Sequence, residues 1–186
     1  MPMEITFELS DEDLDHFRQV MIAARNKVGD LDEATVIENA RKLLSQIWNS
    51  DSSDFIRERM NRLETLIGMA VDRSWGLDDD DRDRVIEALT YFSEPEDLIP
   101  DGIPGLGFLD DAIMIEMVCR DLKHEIQAYR DFCVFRAAES NRPVKQAAGQ
   151  ERSDWLEERR KQLHSRMRRR RSRGKGGGGK SPFSLF

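Results

Sequence analysis

Apolar side chains recur along most of this chain at the three- and four-residue spacing of amphipathic helices. Leu14, Phe17, Met21, Ala24 and Val28 mark a first helix. Ser10 opens it with Asp11, Glu12 and Asp13 in its first turn, and Gly29 closes it. A second helix runs from about Glu33 to Trp48, with Val36, Ile37, Ala40, Leu43, Leu44 and Ile47 on one face. A third carries Ile56, Met60, Leu63, Ile67 and Ala70 and stops near Gly76. A fourth, Arg82 to Ser93, buries Val85, Ile86, Leu89 and Phe92, with the acidic run Asp78 to Asp81 as its N-terminal cap and dipole partner. A fifth begins near Leu109 or Asp110 and runs towards Ala138. It is apolar on more than one side at first, which predicts deep burial, and one-sided later. Before all of these, Ile5, Phe7 and Leu9 alternate with polar residues, as in a short strand or an extended arm.

Prolines and glycines from Pro95 to Gly107 break the helical pattern between the fourth and fifth helices. The chain then divides into a helical body over residues 1–139, a linker over 140–150, a charged helix over 151–172 and a disordered glycine-rich tail over 173–186. The last helix has a thin apolar stripe of Trp155, Leu156, Leu163 and Met167, so weak packing or docking on a partner is expected. The fold class is all-α: a compact bundle of about five helices with a proline- and glycine-broken connection before the long fifth one, plus a basic C-terminal helix and tail.

Charge sharpens this division. The net charge of −7 combines two opposed parts. Residues 151–186 hold 12 Lys and Arg against 4 Asp and Glu, a net +8, while the first 150 residues hold 17 against 32, a net −15. An acidic body with a basic extension implies an anionic partner for the extension, or contact between the two. Cys119 and Cys133 fall in one predicted helix, about 21 Å apart along its axis, and read as structural thiols. No apolar run reaches membrane-spanning length and no signal peptide is apparent. The expected location is the cytoplasm, with the inner face of the membrane as one place where the basic extension would act.

The segment Asp97-Leu98-Ile99-Pro100-Asp101-Gly102-Ile103-Pro104-Gly105-Leu106-Gly107-Phe108-Leu109-Asp110-Asp111 is the most distinctive in the chain. It resembles the hallmark D-L-I-P-D-x-I-P-x-x-G-x-L-D-D of the YkvA-like family, a bacterial domain of unknown function. The resemblance covers roughly residues 88–120. It implies two helices joined by this loop and supplies no catalytic residue. Many members have greasier flanking helices and look membrane-embedded; here Arg82, Arg84, Glu87, Glu116 and Arg120 stand in the flanks. The loop's prolines hold it extended, its apolar residues are expected to plug the end of the helix pair, and Asp110 or Asp111 to cap the fifth helix.

Two sets of residues carry candidate chemistry. Asp97, Asp101, Asp110 and Asp111 place four carboxylates on one loop, an oxygen-rich set of the type that holds a divalent cation. Arg166, Arg168, Arg169, Arg170, Arg171, Arg173, Lys175 and Lys180 form a polyanion-binding set with no acidic residue among them. Arginine forks bind phosphates of nucleic acid, and basic clusters bind anionic membranes. Phe183, Leu185 and Phe186, beyond a glycine tether, would meet a membrane interface or a partner protein.

Other motifs lack their context. Gly174 to Ser181 fits the P-loop pattern but has no preceding strand and no room for a following helix. His16 and His124 point away from the apolar faces of their helices, and His164 has no evident partner. No catalytic set is apparent. These observations lead to a non-enzymatic helical scaffold or adaptor whose basic C-terminal region contacts a membrane, nucleic acid or a partner protein. The alternative is a metal-binding protein or metal-dependent enzyme built on the aspartate-rich loop.

Overall fold

A computed structural model describes residues 6, 8–28, 31–93, 98–100, 102–103, 106–140 and 149–174. All regular structure among them is helical: α1 (Asp11–Val28), α2 (Glu33–Trp48), α3 (Asp54–Val71), α4 (Asp79–Thr90), a 3-10 turn (Tyr91–Ser93), α5 (Leu109–Asp121), α6 (Lys123–Ser140) and α7 (Gly149–Gly174). No described helix is long and apolar enough to cross a membrane.

Local chemistry explains where the helices start. Asp32, Ser53 and Asp78 are N-caps in extended backbone, and their side chains accept from the amides of Thr35, Ile56 and Asp81. Each satisfies one of the amides a helix start leaves without an intrahelical partner. Asp79, Asp80 and Asp81 then fill the first turn of α4, where the helix dipole favours negative charge.

Helix α3 is the centre of the bundle and packs against α2, α4, α5 and α6. It buries Ile56, Met60, Leu63, Leu66, Ile67, Met69 and Ala70. Helix α5 is buried on more than one face, as its apolar surround predicts. The expected long fifth helix is two helices, because the backbone leaves helical geometry at Leu122. Hydrogen bonds continue across the break, from Leu122 N to Val118 O and from Ile126 N to Leu122 O, so the change is a kink. It separates a segment packed on α3 from one packed chiefly on α7. Cys119 and Cys133 therefore lie on different helices, the first buried and the second half-buried.

The largest departure concerns α7. It extends from Gly149 to Gly174, longer at both ends than the periodicity indicates, and includes Arg173. It lies antiparallel along α6: Arg159 stacks over Phe135, and twelve residues later Arg171 reaches Glu125 near the start of α6. Leu163 and Met167 are buried in the common core. Of the predicted stripe, Leu156 is half-buried and Trp155 is 47% exposed, so Leu163 and Met167 suffice because they meet a prepared groove. The alternating N-terminal segment, most of the linker, and residues 175–186 lie wholly or largely outside the described residues.

Candidate functional site

The seat of α7 is built from the α3–α4 connection and the start of α6. Trp75 is fully buried there and packs against Tyr129, Phe132 and His164, with ring centroids 5.7, 5.2 and 4.2 Å away. Next to it, Gly76 takes a left-handed backbone with φ of 53°, and a Cβ there would meet the Arg160 guanidinium at 2.8 Å. Glycine thus permits both the turn and the close approach of α7. His164 Nε2 lies 3.2 Å from the Trp75 carbonyl oxygen. A carbonyl only accepts, so this nitrogen carries the proton. Burial, reinforced by the charge of Arg168, holds the His164 imidazole below its ordinary pKa.

One turn further along, the acidic run meets the arginine run. Asp81 and Glu125 are both fully buried. Arg171 bridges them through Nη1, which binds Asp81 Oδ1 and lies 3.1 Å from Glu125 Oε1. Arg84 approaches Glu125 from α4 at 3.5 Å. Arg168 binds the Asp78 carboxylate and reaches Asp81 Oδ2 at 3.4 Å. The carboxyl groups respond in opposite directions. Burial raises the pKa of Asp81 although Arg171 offsets part of the rise. Burial also acts to raise Asp78, but the Asp81 amide and Arg168 outweigh it and hold Asp78 below the usual carboxylate range. Arg171 stays firmly charged, since bonds to Asp81 and Glu125 outweigh its desolvation.

The predicted polyanion-binding set is therefore split. Arg168 and Arg171 are engaged by the body. Arg166, Arg169, Arg170 and Arg173 are exposed. At about 100° per residue, Arg169 and Arg173 face away from Met167, whereas Arg166 borders the α6 side, lining a pocket with His124, Ala128 and Asp131. Arg170 lies towards α6, where its charge and those of Lys123 and Arg171 act with burial to lower the pKa of His124. Lys175 and Lys180, with Phe183, Leu185 and Phe186, lie outside the described residues.

The aspartate-rich loop divides too. Asp97 and Asp101 lie outside the described residues. Asp110 is buried, and its Oδ2 accepts from the amides of Leu98 at 2.8 Å and Ile99 at 3.1 Å. It ties the loop to the helix instead of capping α5. Phe108 holds the N-cap position in left-handed backbone, with φ of 64° and no side-chain bond to the helix amides. Asp110 stands inside the first turn, from which its carboxylate reaches outward to the loop. Asp111 is half-buried. Leu98, Ile103 and Leu106 do not plug the helix pair; they are 46%, 40% and 51% exposed. Among the described residues, no three His, Cys, Asp or Glu side chains are grouped to hold a metal ion.

Residues 85–117 match the family described as "Protein of unknown function (DUF1232)". The DUF1232 match runs from α4 through the loop into α5 and contains Asp110, Phe108 and the exposed apolar residues. It leaves out α7 and the start of α6, so the seat of α7 lies mostly outside it. No curated protein and no solved structure matches the chain.

Sequence reasoning missed the buried roles of His164, Asp81 and Glu125. The signal was present as complementarity: an acidic run at 78–81, a basic run at 168–171, and Leu163, His164 and Met167 at helical spacing.

Proposed function

We propose that this protein is a non-enzymatic helical scaffold whose C-terminal helix presents arginines to a phosphate-bearing anionic surface. The observation that carries the reading is the two-sided character of α7. One face is seated on the body through Leu163, His164, Met167 and Arg171. The other holds Arg169 and Arg173 exposed, with exposed Arg166 at its border with α6. A seated helix offers its cations without the ordering cost of a free tail, and guanidinium forks suit phosphate oxygens. The reading places the protein in the cytoplasm, where nucleic acid and the inner membrane leaflet both supply phosphodiesters. It also takes the DUF1232 segment to be the YkvA-like segment, acting as framework.

Deleting the chain from Arg166 onward would remove Met167, Arg168 and Arg171, which are packed on the body, so charge reversal on the exposed face is the cleaner test. The triple variant Arg166→Glu/Arg169→Glu/Arg173→Glu should keep its helicity and melting temperature. It should also lose co-sedimentation with anionic vesicles, or the gel shift of duplex and single-stranded nucleic acid, whichever the native chain shows. Binding should weaken steeply with salt. Equal binding by the variant, or binding indifferent to salt, would refute the reading.

A second reading rests on Asp110 Oδ1, which is buried without a hydrogen-bond partner among the described residues. With Asp97, Asp101 and Asp111 it would hold a divalent cation through oxygen ligands. Calorimetric titration with Mg²⁺, Ca²⁺ and Mn²⁺ tests this; equal heats for the native chain and Asp101→Asn/Asp111→Asn would remove it.

A further inference from the structure

The kink at Leu122 has a cavity beside it. The space measures about 440 Å³ and is lined by Arg62, Glu116, Cys119, Arg120, Asp121 and Lys123. That volume falls within the range of small-molecule sites, and the lining is polar and charged.

Its charges are unequally free. Arg62 donates to Glu116 Oε2 at 2.5 Å, and Arg59 approaches the same oxygen at 3.5 Å, so Glu116 is neutralised from α3. Asp121 is half-buried, and burial holds its carboxyl above the usual range despite four neighbouring cations. The Cys119 thiol is pushed up to about 12 by burial and stays neutral. Arg120 and Lys123 are exposed, and neither has an ion-pair partner within 4.0 Å among the described residues. They stand on either side of the kink and line the same cavity. The cavity lining thus holds two cations without a close ion pair, both near the Asp121 carboxylate, together with the Arg62 guanidinium. It adjoins the α7 arginines through Lys123 and His124.

We propose that this cavity binds a compact phosphate group, a phosphomonoester or a pyrophosphate, held between Arg120 and Lys123 with Arg62 facing it. The paired cations Arg120 and Lys123 match the double charge and several oxygens of such a group better than the single charge of a phosphodiester. The position beside α7 suits either a phosphomonoester headgroup in a surface or a free phosphate compound. The inference stands on the cavity itself and survives if the exposed α7 arginines bind nothing.

The experiment is calorimetric titration of the full chain with sodium pyrophosphate, repeated on Arg120→Ala/Lys123→Ala, on Arg120→Lys/Lys123→Arg and on the α7 triple charge reversal. Arg120 and Lys123 are both exposed, so the first two variants should fold. Saturable heat is expected from the native chain, with affinity reduced about tenfold or more in the alanine variant. Affinity should be largely retained in the charge-conserving variant and changed at most about threefold by the α7 reversal. No heat at millimolar pyrophosphate, or equal affinity in the alanine variant, overturns the site, and leaves the α7 reading untouched if the vesicle or nucleic-acid assay is positive. With binding in hand, phosphatidic-acid vesicles separate the sources. Competition between vesicles and pyrophosphate supports the site with a lipid headgroup as its ligand; vesicles that fail to compete support it with a free phosphate compound.

Discussion

Helix α7 and the loop before α5 exchange the roles that their compositions suggest. The loop offers Leu98, Ile103 and Leu106 and exposes all three. Helix α7 has a mean apolar content near the bottom of the chain and yet buries Leu163, His164 and Met167. Apolar content says how much a segment gains from burial, but burial also needs a complementary site. Helix α7 has one: an aromatic pocket around Trp75, a glycine that lets Arg160 approach, and two buried carboxylates that require a cation. Leu98, Ile103 and Leu106 have no such site among the described residues, while Phe108 is buried and the tether to Asp110 fixes the loop's course.

The sharpest break of this contrast is at Arg171. Arg171→Ala leaves the buried carboxylates of Asp81 and Glu125 with the more distant Arg168 and Arg84, at 3.4 and 3.5 Å. Breaking a buried pair in this way costs about 3 kcal/mol. Urea denaturation should show the loss, and limited proteolysis should find α7 released first. Met167→Ala should cost less, about 2 kcal/mol, through the cavity it leaves; thermal melting checks it, and recovery in Met167→Leu would tie the loss to packing.

Acidification sharpens the comparison further. The pKa of His164 is lowered in the folded chain, so its contribution is complete above the ordinary imidazole value of 6.5 and is lost as pH falls below it. Burial and the cations Arg168 and Arg160 oppose the protonated form, with Asp78 partly compensating. Asp81 works in the opposite sense and lower: with its pKa raised, its contribution is present below the ordinary value of 3.8 and is lost as pH rises through the folded value. Melting temperatures between pH 7 and pH 5 should therefore fall, and should fall less in His164→Gln. The smallest effect is expected in the loop, where Leu98→Ser/Leu106→Ser should change stability by about 0.5 kcal/mol or less at either site; a large loss would mean that the loop's apolar side chains are covered after all.

Most of the helical order was legible because local signals agree with one another. The spacing of Val36, Ile37, Ala40 and Ile47 and the cap Asp32 all point to α2, and α2 is there. The kink at Leu122 was hidden because the apolar stripe runs through it unbroken and no proline or glycine marks it. The seat of α7 was hidden for another reason: it is made by residues far apart in the chain, and periodicity reads neighbours only. Net charge suggested a contact between body and extension, but not which cations it would absorb. Of the candidate site, Arg169 and Arg173 are where a basic helix face puts them, with Arg166 at its border, whereas Arg168 and Arg171 serve the fold.

The Arg171 bridge also bears on the order in which the molecule assembles. Its partner Asp81 lies 90 residues earlier, and the contact of His164 with Trp75 spans 89. Helices α2 to α5 are complete in the chain well before α7 is synthesised. Distant contacts form late, since the entropy of closing a long loop must first be overcome. During synthesis the nascent chain therefore carries an open acidic groove and an uncovered tryptophan until α7 emerges, so the helix that covers them is made well after the seat it occupies.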